Sequence, residues 1–177
     1  EYGLPKDGRD WKIATAKQDL TTLGWDNKYV AKYHYRPFDF RYTYFFDKSR
    51  SFVAYPRYSI MRHFLAGENL GLIFPRNDYD ADEMNQFLVS NDVIDIHLVG
   101  GQSYLAPLYL YEKPDKPDLL GTELVKRPNF KKAFVEFIEK KYGKRVVSSV
   151  GDACMRPAGG IHAAPTISPE QIFGYIY

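Results

Sequence analysis

The chain has 177 residues, of which 45 % are hydrophobic and 16 % aromatic, and this composition excludes a disordered segment and predicts one folded domain. The single cysteine excludes an internal disulfide, and no apolar run reaches the roughly twenty residues that a membrane-spanning helix requires. The net charge of +2 is unevenly divided, with +5 in residues 31–76, −8 in residues 77–125 and +6 in residues 126–145, so a polyanion would meet only part of the surface.

The first predicted element is a helix at residues 10–23, where apolar residues recur at helical spacing. Asp10 is expected to cap this helix and Gly24 to end it. The helix carries no residues with evident chemistry. We therefore assign residues 1–28 to a linker or a leading helix, and residues 29–177 to the main domain.

Residues 33–65 are rich in aromatic and basic side chains. They contain twelve phenylalanine and tyrosine residues and six arginine and lysine residues, against two aspartates. An arginine fork fits phosphate oxygens and guanine edges, and aromatic rings provide faces for stacking. The pattern predicts a nucleic-acid-binding surface. As its candidate residues we select the cations of this segment and the next arginine along the chain: Arg36, Arg41, Lys48, Arg50, Arg57, Arg62 and Arg76.

Aromatic residues also favour strands and cores, so a structural role for the rings stays open. The rings that fit a core or a sheet face are Tyr33, Tyr35, Tyr42, Tyr44, Phe52 and Phe64. The two roles are compatible, because buried rings can form a platform from which arginines project.

The same segment predicts a hairpin followed by a helix. Alternation over residues 28–46 indicates strands, with an edge or a bend at Pro37, which has no N–H to donate. Residues 47–50 are the expected hairpin connection, and residues 51–55 the returning strand. Residues 56–65 then predict a helix with a proline near its first turn.

The remaining chain alternates short apolar runs with loops. The acidic run at residues 78–83 lacks the glycine and the glutamate that a calcium-binding EF-hand loop needs at its sixth and twelfth positions, so we predict a solvated loop there. The other predicted elements are strands at residues 70–74, 87–90, 93–99 and 104–111, and helices at residues 129–142 and 168–177. Together the elements predict an α/β (α+β) fold, with a twisted, mixed or mostly antiparallel sheet of about five to seven strands and three or four packed helices.

Five blocks of the sequence resemble a known family. In chain order they read YRPFDFRYTYF, YPRYSIMRHFL, NLGLIFPR, YLAPLYLY and ISPEQIFGYIY. They are similar to blocks in the carboxy-terminal specificity region of type ISP restriction-modification enzymes and of related adenine-specific DNA methyltransferases. The resemblance covers about residues 30–177. It implies a target-recognition domain, which we expect to be truncated at its C-terminus.

The resemblance also implies the domain's partners. Double-stranded DNA is the expected ligand, and methyltransferase domains, with helicase or nuclease domains where the parent carries them, are the expected neighbours in the same polypeptide. The [ND]PP[YF] motif of adenine methyltransferases is absent from this chain. We therefore expect S-adenosylmethionine in the parent's methyltransferase domain, no cofactor and no catalytic residue in this fragment, no membrane partner and a cytoplasmic location.

A second hypothesis from a different class stays open. Exposed aromatic patches also suit a non-catalytic protein-interaction domain that docks methyltransferase or translocase modules without touching DNA. Duplex binding that weakens steeply with salt would separate the two hypotheses.

Overall fold

The structure, a computed structural model, describes residues 7–75, 87–99, 101–114, 124–147 and 165–177. Within these ranges the helices are α1 (Ile13–Leu23), α2 (Tyr58–Leu65), α3 (Lys132–Tyr142) and α4 (Pro169–Ile176). The strands are β1 (Val30–Arg36), β2 (Asp39–Tyr44), β3 (Gly71–Pro75), β4 (Leu88–Ser90), β5 (Val93–Ile94), β6 (Ser103–Pro107), β7 (Tyr109–Glu112), β8 (Val125–Pro128), β9 (Arg145–Val146) and β10 (Thr166–Ile167).

These elements form an α+β fold, which confirms the predicted class. The strands are distributed over four small open sheets: two of three strands, with the orders β2-β1-β5 and β4-β3-β6, and two of two strands, β7-β8 and β9-β10. The sequence pattern suggested one sheet of five to seven strands, and the structure divides that sheet. The β1–β5 and β9–β10 pairs are parallel and the other pairs are antiparallel.

The hydrophobic core joins the two three-stranded sheets to α2. Met61 and Phe64 share the inner face of α2, as their spacing predicts, and they pack with Ile73 of β3, Val93 of β5 and Leu105 of β6. The approach of α2 to β3 is close at Gly71, where an added Cβ would lie 2.5 Å from Leu105 Cδ1 and 2.6 Å from Phe64 Cζ. A side chain at position 71 would therefore disturb the contact that holds the helix on the sheet.

The helix ends follow local sequence signals in the C-terminal part of the chain. α3 ends at Gly143, whose φ of 62° is a left-handed conformation that glycine adopts without strain. α4 begins with a capping box, in which the Ser168 hydroxyl accepts from the Gln171 N–H and the Gln171 side chain accepts from the Ser168 N–H. Asp10 does not cap α1, because that helix begins at Ile13, whose N–H donates to Asp7.

Several predicted elements are wrong in extent or kind. Residues 51–55 are not a strand, because the Arg50 N–H bonds to the Ala54 carbonyl within a local turn instead of in a ladder. Residues 47–50 are therefore not a hairpin connection, and the hairpin turn lies at residues 37–38, between β1 and β2. The strand predicted at residues 93–99 ends at Ile94, and a turn follows it. The strand predicted at residues 104–111 is interrupted at Leu108, whose N–H donates to the Leu70 carbonyl.

The acidic run at residues 78–83 lies outside the described residues. No helix in the described part of the chain is long and apolar enough to cross a membrane.

Candidate nucleic-acid interface

The hairpin formed by β1 and β2 exposes three aromatic rings. Phe38 in the turn is 93 % exposed, and Phe40 and Tyr42 on β2 are 46 % and 76 % exposed. The antiparallel register pairs Tyr42 with Lys32 and Phe40 with His34, so these four side chains share one face of the hairpin. The Lys32 ammonium lies 4.5 Å from the centre of the Phe40 ring, in a cation–π contact.

Two of the predicted arginines, Arg36 and Arg41, lie on the same hairpin, and Arg41, which stands between Phe40 and Tyr42 and pairs with Tyr33, points to its opposite face. Arg36 ends β1 and Arg41 lies within β2. We refer to the exposed rings and cations of this hairpin as the hairpin surface: Lys32, Arg36, Phe38, Phe40, Arg41 and Tyr42.

The other rings of the aromatic segment mostly build the interior, as the structural alternative predicted. The buried rings are those of Tyr33, Tyr44, Phe45 and Phe64, and Phe45 was not among the rings predicted for the core. Tyr35 packs against the core, and Phe52 lies half-buried against Tyr44 and Phe46. Tyr42 was also predicted to fit a core or a sheet face, but its ring is exposed to solvent. The segment therefore combines buried rings with an exposed face.

Arg36 makes an internal ion pair. Its Nη1 donates to Asp95 Oδ1 over 2.8 Å and to the Tyr35 carbonyl over 2.6 Å. The Tyr33 hydroxyl donates to the other oxygen of Asp95 over 2.7 Å, and burial, with the nearby charge of Asp95, raises the pKa of the Tyr33 phenol. Because Asp95 directly follows β5, Arg36 fastens the end of β1 to the end of β5. Its side chain is 40 % exposed, so part of the guanidinium still faces solvent.

Arg41 makes a local ion pair at the surface. Its Nε and Nη2 donate to Asp39 Oδ2 over 3.1 Å and 2.7 Å, and these hydrogen bonds lower the pKa of Asp39. The Arg41 guanidinium lies 3.9 Å from the centre of the Tyr35 ring, and the Arg36 guanidinium lies 4.0 Å from the same ring. Tyr35 therefore brings these two predicted cations together.

Lys48 contacts a buried carboxylate instead of projecting freely. Its ammonium bonds to Asp19 of α1, which is 4 % exposed, and this hydrogen bond lowers the pKa of Asp19. The pair fastens α1 to the segment that follows β2. Because Lys48 compensates a buried charge, its first role is structural.

Arg50 and Arg57 both adopt left-handed backbone conformations, with φ of 60° and 45°. Arg50 is exposed. The hydrogen bond from Arg9 lowers the pKa of Asp10, and the charge of Arg50 adds to this effect. Arg57 directly precedes α2, donates from Nη1 to the Ser103 carbonyl over 3.0 Å and lies over the Tyr104 ring. Arg57 is thus held against the first residues of β6.

Arg62 lies on the outer face of α2, where its Nε donates to the Ser59 carbonyl over 3.3 Å. The Arg127 hydrogen bond lowers the pKa of Glu112, the last residue of β7, and the charge of Arg62 adds to this effect, so Arg62 belongs to a different region from the hairpin. Arg76 lies outside the described residues. Among the described candidates, the structure therefore brings together Arg36 and Arg41, and no described contact joins the other four to that pair.

Several cations that were not among the predicted residues also make contacts in the structure. Lys32 lies over Phe40, and Lys126 lies 4.1 Å from the centre of the Tyr109 ring. Arg127, next to Lys126, forms a bidentate ion pair with Glu112. The signal for Lys32 was its alternation with Tyr33 and the rings of the next strand, and the signal for Lys126 and Arg127 was the positive charge of residues 126–145. In the described part of the chain, no group of three or more histidine, cysteine, aspartate and glutamate side chains could hold a metal ion.

The family model of the type ISP C-terminal specificity domain matches residues 1–177. The chain belongs to this family. The predicted family is thereby confirmed, and with it the predicted class of function, target recognition in a restriction-modification enzyme.

A solved structure described as an ATP-dependent type ISP restriction-modification enzyme, LlaBIII, bound to DNA is similar to the specificity domain. The identity is 18 %, the TM-score is 0.50, and the match covers 72 % of this chain and 8 % of that chain. At this identity the match shows a shared fold, and the specificity domain corresponds to a small part of that enzyme's length. A search among curated proteins found no match.

Proposed function

We propose that this specificity domain recognises a short sequence of double-stranded DNA and that the hairpin surface is the part that meets the duplex. The observation that carries the proposal is the hairpin itself, which exposes Phe38, Phe40 and Tyr42, with Lys32 on the face of Phe40 and Tyr42 and Arg41 on the opposite face of the same hairpin. Exposed rings cost solvation free energy, and cations next to them attract a polyanion. Rings and cations on one projecting element therefore fit a nucleic acid better than they fit solvent alone.

The geometry suits the major groove. The major groove of B-DNA admits a two-stranded β-ribbon, and β2 is the edge strand of its sheet, with one side unpaired among the described strands. Side chains of β2 can then contact base edges while neighbouring cations hold phosphates. Recognition of this kind is binding and requires no catalytic residue in the domain.

The predicted cations divide by the bonds they already make. Arg41 and Arg62 bond only near the surface, so both are available to a phosphate at small cost. Arg36, Lys48 and Arg57 hold parts of the fold together, and their contribution to DNA binding is partly indirect. Arg50 and Arg76 remain candidates on the sequence pattern.

The parent protein supplies the chemistry in this proposal. A methyltransferase domain in the same polypeptide would bind S-adenosylmethionine and methylate the DNA sequence that this domain selects. Helicase or nuclease domains, where the parent has them, would act on the same DNA, and the whole protein would work in the cytoplasm. A flipped adenine would be held by the methyltransferase domain. The [ND]PP[YF] motif of that chemistry is absent from this chain, which supports the division of labour.

The proposal is tested by selecting bound duplexes from a random pool with the full-length protein, and by measuring affinity for the selected site at several salt concentrations. We expect one enriched sequence and a steep loss of affinity with salt, because phosphate contacts release counterions. Replacing this domain by that of a relative should change the enriched sequence. An unchanged sequence after the exchange would contradict the proposal.

A second candidate function is docking of another module of the polypeptide. The observation that favours it is an apolar groove of about 410 Å³ between α3 and α4. Its wall includes Phe137, Tyr175 and Ile176, which are 58 %, 86 % and 56 % exposed. Large exposed apolar patches mark protein interfaces. The groove and the hairpin surface lie on different elements, so docking and DNA recognition are compatible.

A further inference from the structure

Phe38 occupies an unusual position for a phenylalanine. It lies in the turn between β1 and β2, its φ is 66° and its side chain is 93 % exposed. Bulky residues rarely adopt the left-handed region, because their Cβ approaches the backbone too closely. Asparagine and glycine are the usual residues in this conformation. The fold therefore accepts a conformational cost here and exposes a large apolar ring.

The ring contributes nothing evident to the stability of the domain. Among the described residues, no aromatic ring stacks on Phe38, no cation lies over it, and it is absent from the core cluster. Its neighbour Phe40, by contrast, stacks on His34 with ring centres 4.2 Å apart. Strain without compensating contacts in the free protein points to a contact made in a complex.

The turn is held firmly on both sides. Pro37 fixes its own φ, Arg36 before it is bonded to Asp95, and Arg41 after it is bonded to Asp39. The phenylalanine ring is therefore presented by a rigid support rather than by a flexible loop. The ion pair of Arg41 also compensates the Asp39 carboxylate, which would otherwise repel phosphates next to the ring.

We propose that Phe38 is a wedge residue, which inserts its ring between two adjacent base pairs of the bound duplex and partly unstacks that base step. The inference rests on the proposed DNA-binding function. Apolar side chains such as phenylalanine act in this way in proteins that kink DNA, most often from the minor groove, and pyrimidine–purine steps yield most easily. Here the ring would enter from the groove that the hairpin occupies. The insertion makes Phe38 a positioning residue, because it fixes the register of the hairpin on the DNA and adds sequence preference at a step that no hydrogen bond reads.

The test uses the full-length protein and duplexes that contain its selected site, with 2-aminopurine placed at successive positions in and around that site. Wild-type protein should raise 2-aminopurine fluorescence several-fold at one step next to the hairpin contact. Phe38→Gly should abolish this increase, and Phe38→Leu, which keeps an apolar wedge, should retain part of it. Any increase at the adenine to be methylated comes from the methyltransferase domain and serves as the internal reference.

A matched control is Phe87→Ala, because Phe87 is 52 % exposed but lies outside the hairpin. It should leave the fluorescence increase unchanged. Thermal unfolding provides a second readout, in which Phe38→Gly should not be harmful. The substitution should keep or raise the melting temperature, since glycine adopts a φ of 66° without strain. A residue with a structural role would lower it.

Three results would overturn the proposal. The first is a fluorescence increase that Phe38→Gly leaves unchanged. The second is the absence of any increase outside the target adenine with wild-type protein. Either result would exclude a wedge, even if salt-dependent, sequence-specific binding persists. A change in the proteolysis pattern of the DNA-free protein caused by Phe38→Gly would assign the ring to a contact between domains instead. Failure of the proposed function itself is distinguishable, because exchanging this domain for that of a relative would then leave the enriched sequence unchanged.

Discussion

Arg36 Nη1 lies 2.8 Å from Asp95 Oδ1, and this ion pair connects two strands that are far apart in the chain. The same carboxylate accepts a hydrogen bond from the Tyr33 hydroxyl, so Asp95 is bonded to two side chains of β1. Arg36, which the sequence pattern assigned to DNA binding, therefore already stabilises the fold. Its effect on DNA binding cannot be separated from its effect on stability by a single substitution.

Arg36→Ala should destabilise the domain, because it leaves the half-buried Asp95 with fewer donors. The expected loss in the free energy of unfolding is about 1–2 kcal/mol. Arg62→Ala is the matched control, since Arg62 is exposed and, among the described residues, its hydrogen bond goes to the Ser59 carbonyl of its own helix. Chemical denaturation should show little change for that control. Equal effects of the two substitutions would contradict the structural role of Arg36.

Arg41→Ala should weaken duplex binding several-fold without lowering the melting temperature. Each lost phosphate contact reduces the slope of log affinity against log salt by about one. Asp39→Asn is the complementary change, because it removes the carboxylate that holds Arg41 and should strengthen binding at low salt. Fluorescence anisotropy titrations across a salt series measure both effects. An Arg41→Ala slope equal to that of wild type would exclude a phosphate contact by Arg41.

Lys48→Ala should destabilise the domain by about 1–3 kcal/mol, because it leaves the buried Asp19 carboxylate without its cation. Lys48 lowers the pKa of Asp19, so the stabilisation is present above the ordinary pKa of an aspartate and is lost as pH falls through the lowered pKa. The difference between wild type and Lys48→Ala should therefore shrink in acid. Addition of Asp19→Asn should restore part of the lost stability at neutral pH. Denaturation curves at neutral and acidic pH test both statements, and a difference independent of pH would contradict them.

The parts of the fold that local sequence determines were predictable. The apolar spacing of Met61 and Phe64, the glycine at the end of α3 and the capping box of α4 all lie within a few residues of the features that they specify. A turn can still form where a strand was predicted, if a local backbone hydrogen bond replaces the hydrogen bonds between strands. The bond from Arg50 to Ala54 does so in the segment that was expected to be a strand.

The partners of the cations were not predictable, because they depend on the tertiary fold. Asp95 is 59 residues from Arg36 and Asp19 is 29 residues from Lys48, so no spacing rule connects them. The exposure of Phe38 likewise depends on the turn conformation, which composition does not determine. Composition located the basic aromatic segment correctly, but only the fold distinguishes its structural cations from its exposed ones.

The last prediction concerns pH and His63 on α2. His63 is buried, and its Nδ1 accepts a hydrogen bond from the Tyr111 N–H over 3.0 Å, so this nitrogen carries no proton in the folded state. Burial lowers the pKa of His63, and the charge of Arg62 lowers it further, although Glu112 opposes this effect. Below the ordinary histidine pKa of about 6.5 the unfolded chain therefore takes up a proton that the folded domain refuses.

The free energy of unfolding should consequently fall as the pH decreases from 7 to 5, and His34, whose pKa burial also lowers, should add to the loss. His63→Gln offers an acceptor that does not titrate, so its stability should depend less on pH than that of wild type. The variant should be less stable than wild type by about 1 kcal/mol at pH 7, the usual cost of a substitution at a buried position, and this difference should diminish at pH 5. Urea denaturation at both pH values measures the two differences. A wild-type stability that increased towards pH 5 would show that His63 is protonated in the folded domain, and would contradict its role as the acceptor for Tyr111.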